Sequence, residues 1–199
     1  MKSVMSAVPL QVLQWRKQTG AEMWDEMWEG VLHIPPSPNR EHQNFLADME
    51  AWLRAIWARP RGGRVYHDVN VAPIGGWPHD YRIPDLVLLT GDRFHIDRNE
   101  YFEGAPTVVV EICSPGDESY EKLPFYARLG VPEAWLVDRD TRAATLLVLR
   151  SGQYEEAAPG RDGWLTSPAT GIQLRAEPGD RLALQLGGDP GTRQTVPVE

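Results

Sequence analysis

Apolar residues recur at steps of three and four along one stretch: Phe45, Leu46, Met49, Trp52, Leu53, Ile56 and Trp57. This period predicts an amphipathic helix and is the strongest helical signal in the chain. Pro35, Pro36 and Pro38 punctuate the segment before it, and either Ser37 or Asn39 can cap it. Arg59-Pro60 and the following Gly62-Gly63 predict its end. A shorter helix is expected over 9–19, from Pro9 and the apolar Leu10, Val12, Leu13 and Trp15. Between the two, Trp24 to Trp28 and Val31 to Ile34 alternate around Glu29-Gly30 and read as a hairpin over 24–34.

Strand patterns follow the long helix. Val65, His67, Val69 and Val71 share one face of an alternating run. Asp85 to Leu89 and Thr107 to Ile112 are short apolar runs, typical of strands buried on both faces of a sheet. A helix is expected over roughly 118–129, ending at Gly130, with Pro124 marking its start or a kink. Ala134 to Val137 and Ala144 to Leu149 read as further strands. After Ser151, short strands and turns are expected to about Leu186. The Gly- and Pro-rich segment 187–199 reads as a mobile tail. The order predicts a single α/β or α+β domain over 1–186, a sheet with a helix packed on it.

Composition narrows this picture. The chain has 199 residues, 42% hydrophobic and 24% charged, enough for one domain with a real core. No run approaches a membrane span, and Met1 to Pro9 has no apolar core of a secretory signal. The single cysteine, Cys113, excludes an intramolecular disulfide and a cysteine-based zinc site, and fits a reducing, cytoplasmic compartment. A net charge of −8 argues against indiscriminate nucleic-acid binding. Arg54, Arg59, Arg61 and Arg64 form one locally basic stretch, most simply a solvated helix end.

Two acids stand at the edges of apolar strands. Asp85 opens one after Pro84, and Glu111 lies near the end of another. A carboxylate at a buried strand end is costly unless a positive charge sits beside it. A hard cation such as Mg²⁺, held by one or two carboxylates and water, would resolve this. The main-chain carbonyl of Ile112 is a further candidate oxygen. Lys122 follows Glu111 after a Ser114-Pro115-Gly116 turn that can fold the chain back. A lysine there would orient a water or offset charge in the transition state. Glu26 is a candidate third carboxylate. Plainer readings stand beside these: acids in strand-end turns, an exposed lysine at a helix start, one of several acids in a polar strand. His42 reads as packing or a helix-start feature and Tyr126 as core. Nothing marks Cys113 as a nucleophile. No GxSxG elbow, GxGxxG or P-loop is present.

Taken together, these segments resemble the Uma-two family of bacterial restriction-endonuclease-like proteins. The resemblance rests on Asp25 to Leu32, the Pro35-Pro36-Ser37-Pro38 turn, His42, Pro84-Asp85-Leu86-Val87, Val109 to Pro115, Lys122 to Ala127 and Gly130 to Asp138, in that order. It covers roughly residues 8 to 160. It implies a PD-(D/E)XK core: a mixed sheet with a long helix packed on it, an added antiparallel hairpin, and the site at one edge. Asp85 then matches the motif aspartate and Glu111 the second acid. Cys113 stands where the motif lysine is usual, and Lys122 matches the lysine this family carries on the following helix. Glu26 matches an acid of the early hairpin that completes the metal shell. Ala134 departs from a position where an aromatic residue is common.

The implied reaction is hydrolysis of a DNA phosphodiester with Mg²⁺ or Mn²⁺ held by Asp85, Glu111, Ile112 and Glu26, assisted by Lys122. A homodimer would let two sites cut both strands of a duplex. Specificity is expected from loops 72–83 and 91–106, the second lying near the site. The rival reading is a non-catalytic module that binds nucleic acid or protein on the same fold. Metal affinity at Asp85 and Glu111 separates the two.

Overall fold

The computed structural model describes residues 3–6 and 8–198. Strand β1 (Ser3–Met5) and helix α1 (Leu10–Thr19) lead into hairpin strands β2 (Glu26–Trp28) and β3 (Val31–Ile34). Glu29 and Gly30 both have positive φ, 51° and 86°. Two such residues let a tight turn follow the twist of its strands. β1 joins the far side of β3 to give a sheet of order β1-β3-β2.

Helix α2 (Arg40–Trp52) starts where Asn39 accepts the His42 N–H at 2.9 Å. It runs on through a wider π-helical stretch, Leu53–Ala58, and a last turn, α3 (Arg59–Arg61). The widening falls just before Pro60, which has no N–H to continue the ordinary ladder. Gly62, at φ 67°, ends the run. A Cβ on Gly63 would meet the Trp57 ring at 2.9 Å, so the chain passes closest there without a side chain.

Strands β4 (Arg64–His67), β5 (Asn70–Ala72), β6 (Leu86–Leu89), β7 (Tyr101–Glu103) and β8 (Val108–Cys113) come next. Helix α4 (Leu123–Leu129) then crosses to β9 (Glu133–Asp138), followed by β10 (Ala144–Arg150) and β11 (Gln153–Glu156). The central sheet has the order β11-β10-β9-β8-β6-β4. β8 and β9 are parallel, joined by α4, and the other pairs are antiparallel, so the sheet is mixed. A second sheet, β12 (Leu165–Thr166), β13 (Ile172–Glu177), β14 (Arg181–Leu186) and β15 (Asp189–Val196), closes the chain.

The main core lies between α2 and these two sheets. Phe45, Met49 and Trp52 meet Val110 and Ile112 from the central sheet and Leu184 and Val196 from the second. Each fully buried side chain of this size contributes about 1.5–3 kcal/mol. Odd-numbered residues of β8 face the other way, where Val109 packs with Phe125 and Tyr126 near α4. The site lies where β6 begins and β8 ends.

Three expectations change. The run 65–71 is not one strand: Asp68 takes φ 51°, and β5 leaves the central sheet to pair with β7 in parallel. The helix expected over 118–129 begins only at Leu123, with Pro124 in its first turn. The segment expected as a mobile tail carries β15 instead, paired with β14. Gly187 and Gly188, at φ 60° and 76°, supply a tight turn. Trp52 then donates its indole N–H to the Thr192 carbonyl at 2.9 Å. The glycines serve a hairpin there rather than chain freedom.

Candidate active site

The β6/β8 register sets Leu86 opposite Val110 and Val87 opposite Val109. Asp85 lies one residue before β6, and Glu111 lies one residue beyond Val110 on β8, so the two acids stand at the same edge of the sheet. The Ile112 N–H donates to Asp85 Oδ2 at 2.6 Å, so the aspartate lies against the Glu111–Ile112 backbone. In a strand the N–H and C=O of one residue point to the same side. The Ile112 carbonyl therefore faces Asp85, past the last paired residue of β6.

Helix α2 supplies His42 in its first turn, and its Nε2 lies 2.9 Å from Asp85 Oδ1. Burial works against a charge on His42, but the hydrogen bond and charge of Asp85 outweigh it and raise its pKa. Both Asp85 oxygens are thus oriented by neighbours.

Lys122 reaches in from just before α4. Its Nζ lies 2.8 Å from Glu26 Oε1 and 3.1 Å from Glu111 Oε2, and donates to the Ile83 carbonyl at 2.9 Å. Burial opposes its charge, but Glu111 and Glu26 outweigh it and raise the pKa, so the ammonium persists. Glu111 is 3% exposed. Burial pushes its carboxyl up to about 8, Lys122 opposes this, and Asp85 and Glu26 add to it. Tyr126 donates its hydroxyl to Glu111 Oε1 at 2.6 Å. Burial first, then Glu111 and Glu26, hold that phenol protonated well above its usual range.

Glu26, the third candidate carboxylate for a metal, already has partners of its own. Its Oε1 accepts the Ile83 N–H at 2.8 Å and faces Lys122, and its Oε2 accepts the Trp28 indole N–H at 2.6 Å. Both oxygens are engaged in holding the lysine and the hairpin. Among the described residues no three His, Cys, Asp or Glu side chains are arranged to hold a metal ion. The donor set that suits a hard cation is therefore Asp85, Glu111 and the Ile112 carbonyl. Mg²⁺ is commonly held by one or two carboxylates, with waters and substrate phosphate completing its shell, so these residues fit it.

All five predicted site residues, Asp85, Glu111, Lys122, Ile112 and Glu26, line one cavity of about 280 Å³. Pro35 to Pro38 form one wall, and His33, His42, Asp68, Glu118 and Arg139 are among the other residues that line the cavity. Asp68 had no sequence signal beyond the strand pattern around it; burial, then Asp85, raise its pKa. His33 and Arg139 lie in ordinary-looking strand and turn segments, so spacing did not single them out. Loop 91–106 contributes no lining residue: its β7 pairs with β5, and its Ile96 and Phe102 pack with Val71, Val87 and Leu89. Of loop 72–83 only Ile83 lines the cavity; Tyr81 and His79 pair with the first hairpin. The basic stretch is also remote. Arg59 lies 17 residues beyond His42 on the same helical run, about 25 Å at 1.5 Å per residue. Burial pushes the Cys113 thiol up to about 12, which leaves it unsuited as a nucleophile.

A mixed sheet crossed by one long helix, with acids and a lysine at the strand ends, is a restriction-endonuclease-like fold. A crystal structure described as that of "a putative nuclease belonging to DUF820" from Anabaena variabilis ATCC 29413 has the same fold. It matches with a TM-score of 0.59 and 18% identity, over 73% of this chain and 82% of that one. The Uma2 family model, described as "Putative restriction endonuclease", matches residues 11–184. The chain belongs to the Uma2 family, and this membership supports a nuclease-like function. No curated protein matches the chain. Among the described residues no helix is long and apolar enough to cross a membrane.

Proposed function

We propose that the protein is an endonuclease that hydrolyses DNA phosphodiester bonds with a divalent metal ion, Mg²⁺ or Mn²⁺. The observation that carries this reading is the meeting of Asp85 and Glu111 in one cavity, with Asp85 held by the Ile112 N–H at 2.6 Å and the Lys122 ammonium 3.1 Å from Glu111. Asp85 and Glu26 both disfavour the charge on Glu111, and acids gathered in this way are suited to a cation. Asp85, Glu111 and the Ile112 carbonyl would hold the ion. When bound, it would polarise the phosphoryl oxygen and make a water a better nucleophile.

The protein's own groups do the rest. His42 and the Ile112 N–H fix the two Asp85 oxygens. Tyr126 fixes Glu111, and Glu26 with the Ile83 carbonyl aims Lys122. Lys122 then orients the attacking water or offsets charge on the phosphoryl oxygens. The 3′ oxygen leaves in line. We place the protein in the cytoplasm, where its single buried thiol stays reduced. We also propose a homodimer, in keeping with Leu10, Trp15 and Met23 being 73%, 57% and 65% exposed near α1.

The test is calorimetry with Mn²⁺, on wild type and on the Asp85→Ala, Glu111→Ala double variant, followed by cleavage assays on duplex DNA, single-stranded DNA and RNA. Binding and cleavage by wild type alone are expected. Equal cleavage by the double variant would sink the assignment. Metal-independent binding of nucleic acid without cleavage would favour a binding module.

A further inference from the structure

We propose that His33, backed by Glu118, is the general acid that protonates the leaving oxygen. This rests on the nuclease reading above and adds a residue to it. The register of the first hairpin pairs His33 with Glu26. Directly opposed residues lie on one sheet face, and Glu26 Oε1 is 2.8 Å from Lys122. His33 is therefore one side chain away from the lysine, and it lines the same cavity as Asp85 and Glu111.

Its ring is held on two sides. Trp28 stacks on it with centroids 4.0 Å apart and planes within 11°. Glu118 Oε2 lies 3.0 Å from Nδ1. A carboxylate on one ring nitrogen orients the ring and leaves the other nitrogen to pass on a proton whenever the ring is protonated. His33 is only 9% exposed, so the charge formed there is only partly hydrated. The charged groups around it are Glu26 across the hairpin, Glu118 before α4, and Glu29, Arg82, Glu121 and Arg128 in the adjoining cleft.

The step balances without any further reactant. The water oxygen forms the new P–O bond and its proton passes to solvent. The bond from phosphorus to the 3′ oxygen breaks, and its electron pair stays on that oxygen. The Nε2–H of His33 supplies the proton, and the imidazole regains one from solvent. Neither Lys122, fixed to Glu111, Glu26 and Ile83, nor Tyr126, fixed to Glu111, has a comparable free role as an acid.

The experiment compares wild type, His33→Gln and Glu118→Gln with Mn²⁺. Rate is measured against pH on whichever nucleic acid wild type cleaves, and on bis(p-nitrophenyl) phosphate, whose leaving group needs no proton. His33→Gln is expected to slow nucleic-acid cleavage about 10²-fold or more, to abolish the alkaline limb of the pH profile, and to change ester cleavage less than about threefold. Glu118→Gln keeps the ring in place and is expected to move that limb to lower pH. A His33→Gln protein that cleaves nucleic acid as fast as wild type overturns the proposal. So does equal slowing of both substrates with an unchanged pH profile. If wild type leaves the ester intact, the pH profile alone decides. If wild type cleaves no nucleic acid, the nuclease reading fails and this proposal fails with it.

Discussion

Two glutamates are buried in the central sheet, and they are treated differently. Glu133 begins β9 and is 1% exposed; Glu111 lies near the end of β8 and is 3% exposed. Glu133 meets neutral donors: the Ser167 hydroxyl at 2.6 Å, the Ala169 N–H at 2.6 Å and the Trp135 indole N–H at 3.0 Å. Among the described residues it has no ion pair, and it fastens the 167–170 turn, and with it the second sheet, to the first. Glu111 meets a lysine and a tyrosine, but also feels the charges of Asp85 and Glu26. One carboxylate can be buried with neutral hydrogen bonds alone. Crowding acids about one ammonium adds repulsion that neutral donors would avoid. On the proposed function, that pattern separates a structural acid, Glu133, from one kept for chemistry, Glu111.

Substitution breaks the comparison most directly. Glu111→Gln is expected to lower cleavage by about 10³-fold, as loss of a metal-holding acid does, while the melting temperature stays level or rises. A large loss of stability with cleavage retained per folded molecule would reverse the assignment. Glu133→Gln should do the opposite. An amide nitrogen placed against three donors leaves at least one unmatched, which costs about 3 kcal/mol. For a chain of this size that lowers the midpoint by about 6–12 °C. Calorimetric melting and specific activity, measured together, check both.

A smaller effect sharpens the contrast through pH. Glu111 titrates near 8 when folded, against an ordinary value of 4.5, because burial disfavours its charge. Between those values the folded state holds a proton that the unfolded state has lost. The Glu111 contribution to stability therefore falls as pH rises from about 4.5 to 8 in metal-free protein. Glu111→Gln should flatten that slope in denaturant titrations, and Mn²⁺ should bind more tightly as pH rises over the same window. An unchanged slope in the variant would remove Glu111 as its source.

Local patterns were readable without any structure. The three- and four-residue spacing from Phe45 to Trp57 is a property of neighbours on one helix, and α2 carries it. The apolar runs before and after Asp85 and Glu111 became β6 and β8 for the same reason. The family pattern picked out Asp85, Glu111 and Lys122, and one cavity holds them.

What the spacing did not reveal are meetings between residues far apart in the chain. His42 meets Asp85 across 43 positions, and Lys122 meets the Ile83 carbonyl across 39. His33 meets Glu118 across 85, and Trp52 meets Thr192 across 140. Each depends on strand order and register, which place side chains by hydrogen bonds between segments that carry no local mark of one another. The same holds for the fate of Gly187 and Gly188. Their composition alone suits a loose tail as well as a hairpin, and only the waiting edge of β14 makes them a turn. The sequence by itself determined the long helix, the apolar strands at the centre of the sheet and which acids could serve. The tertiary structure decided which acid is shared with a lysine, which one fastens two sheets, and which histidine stands beside them.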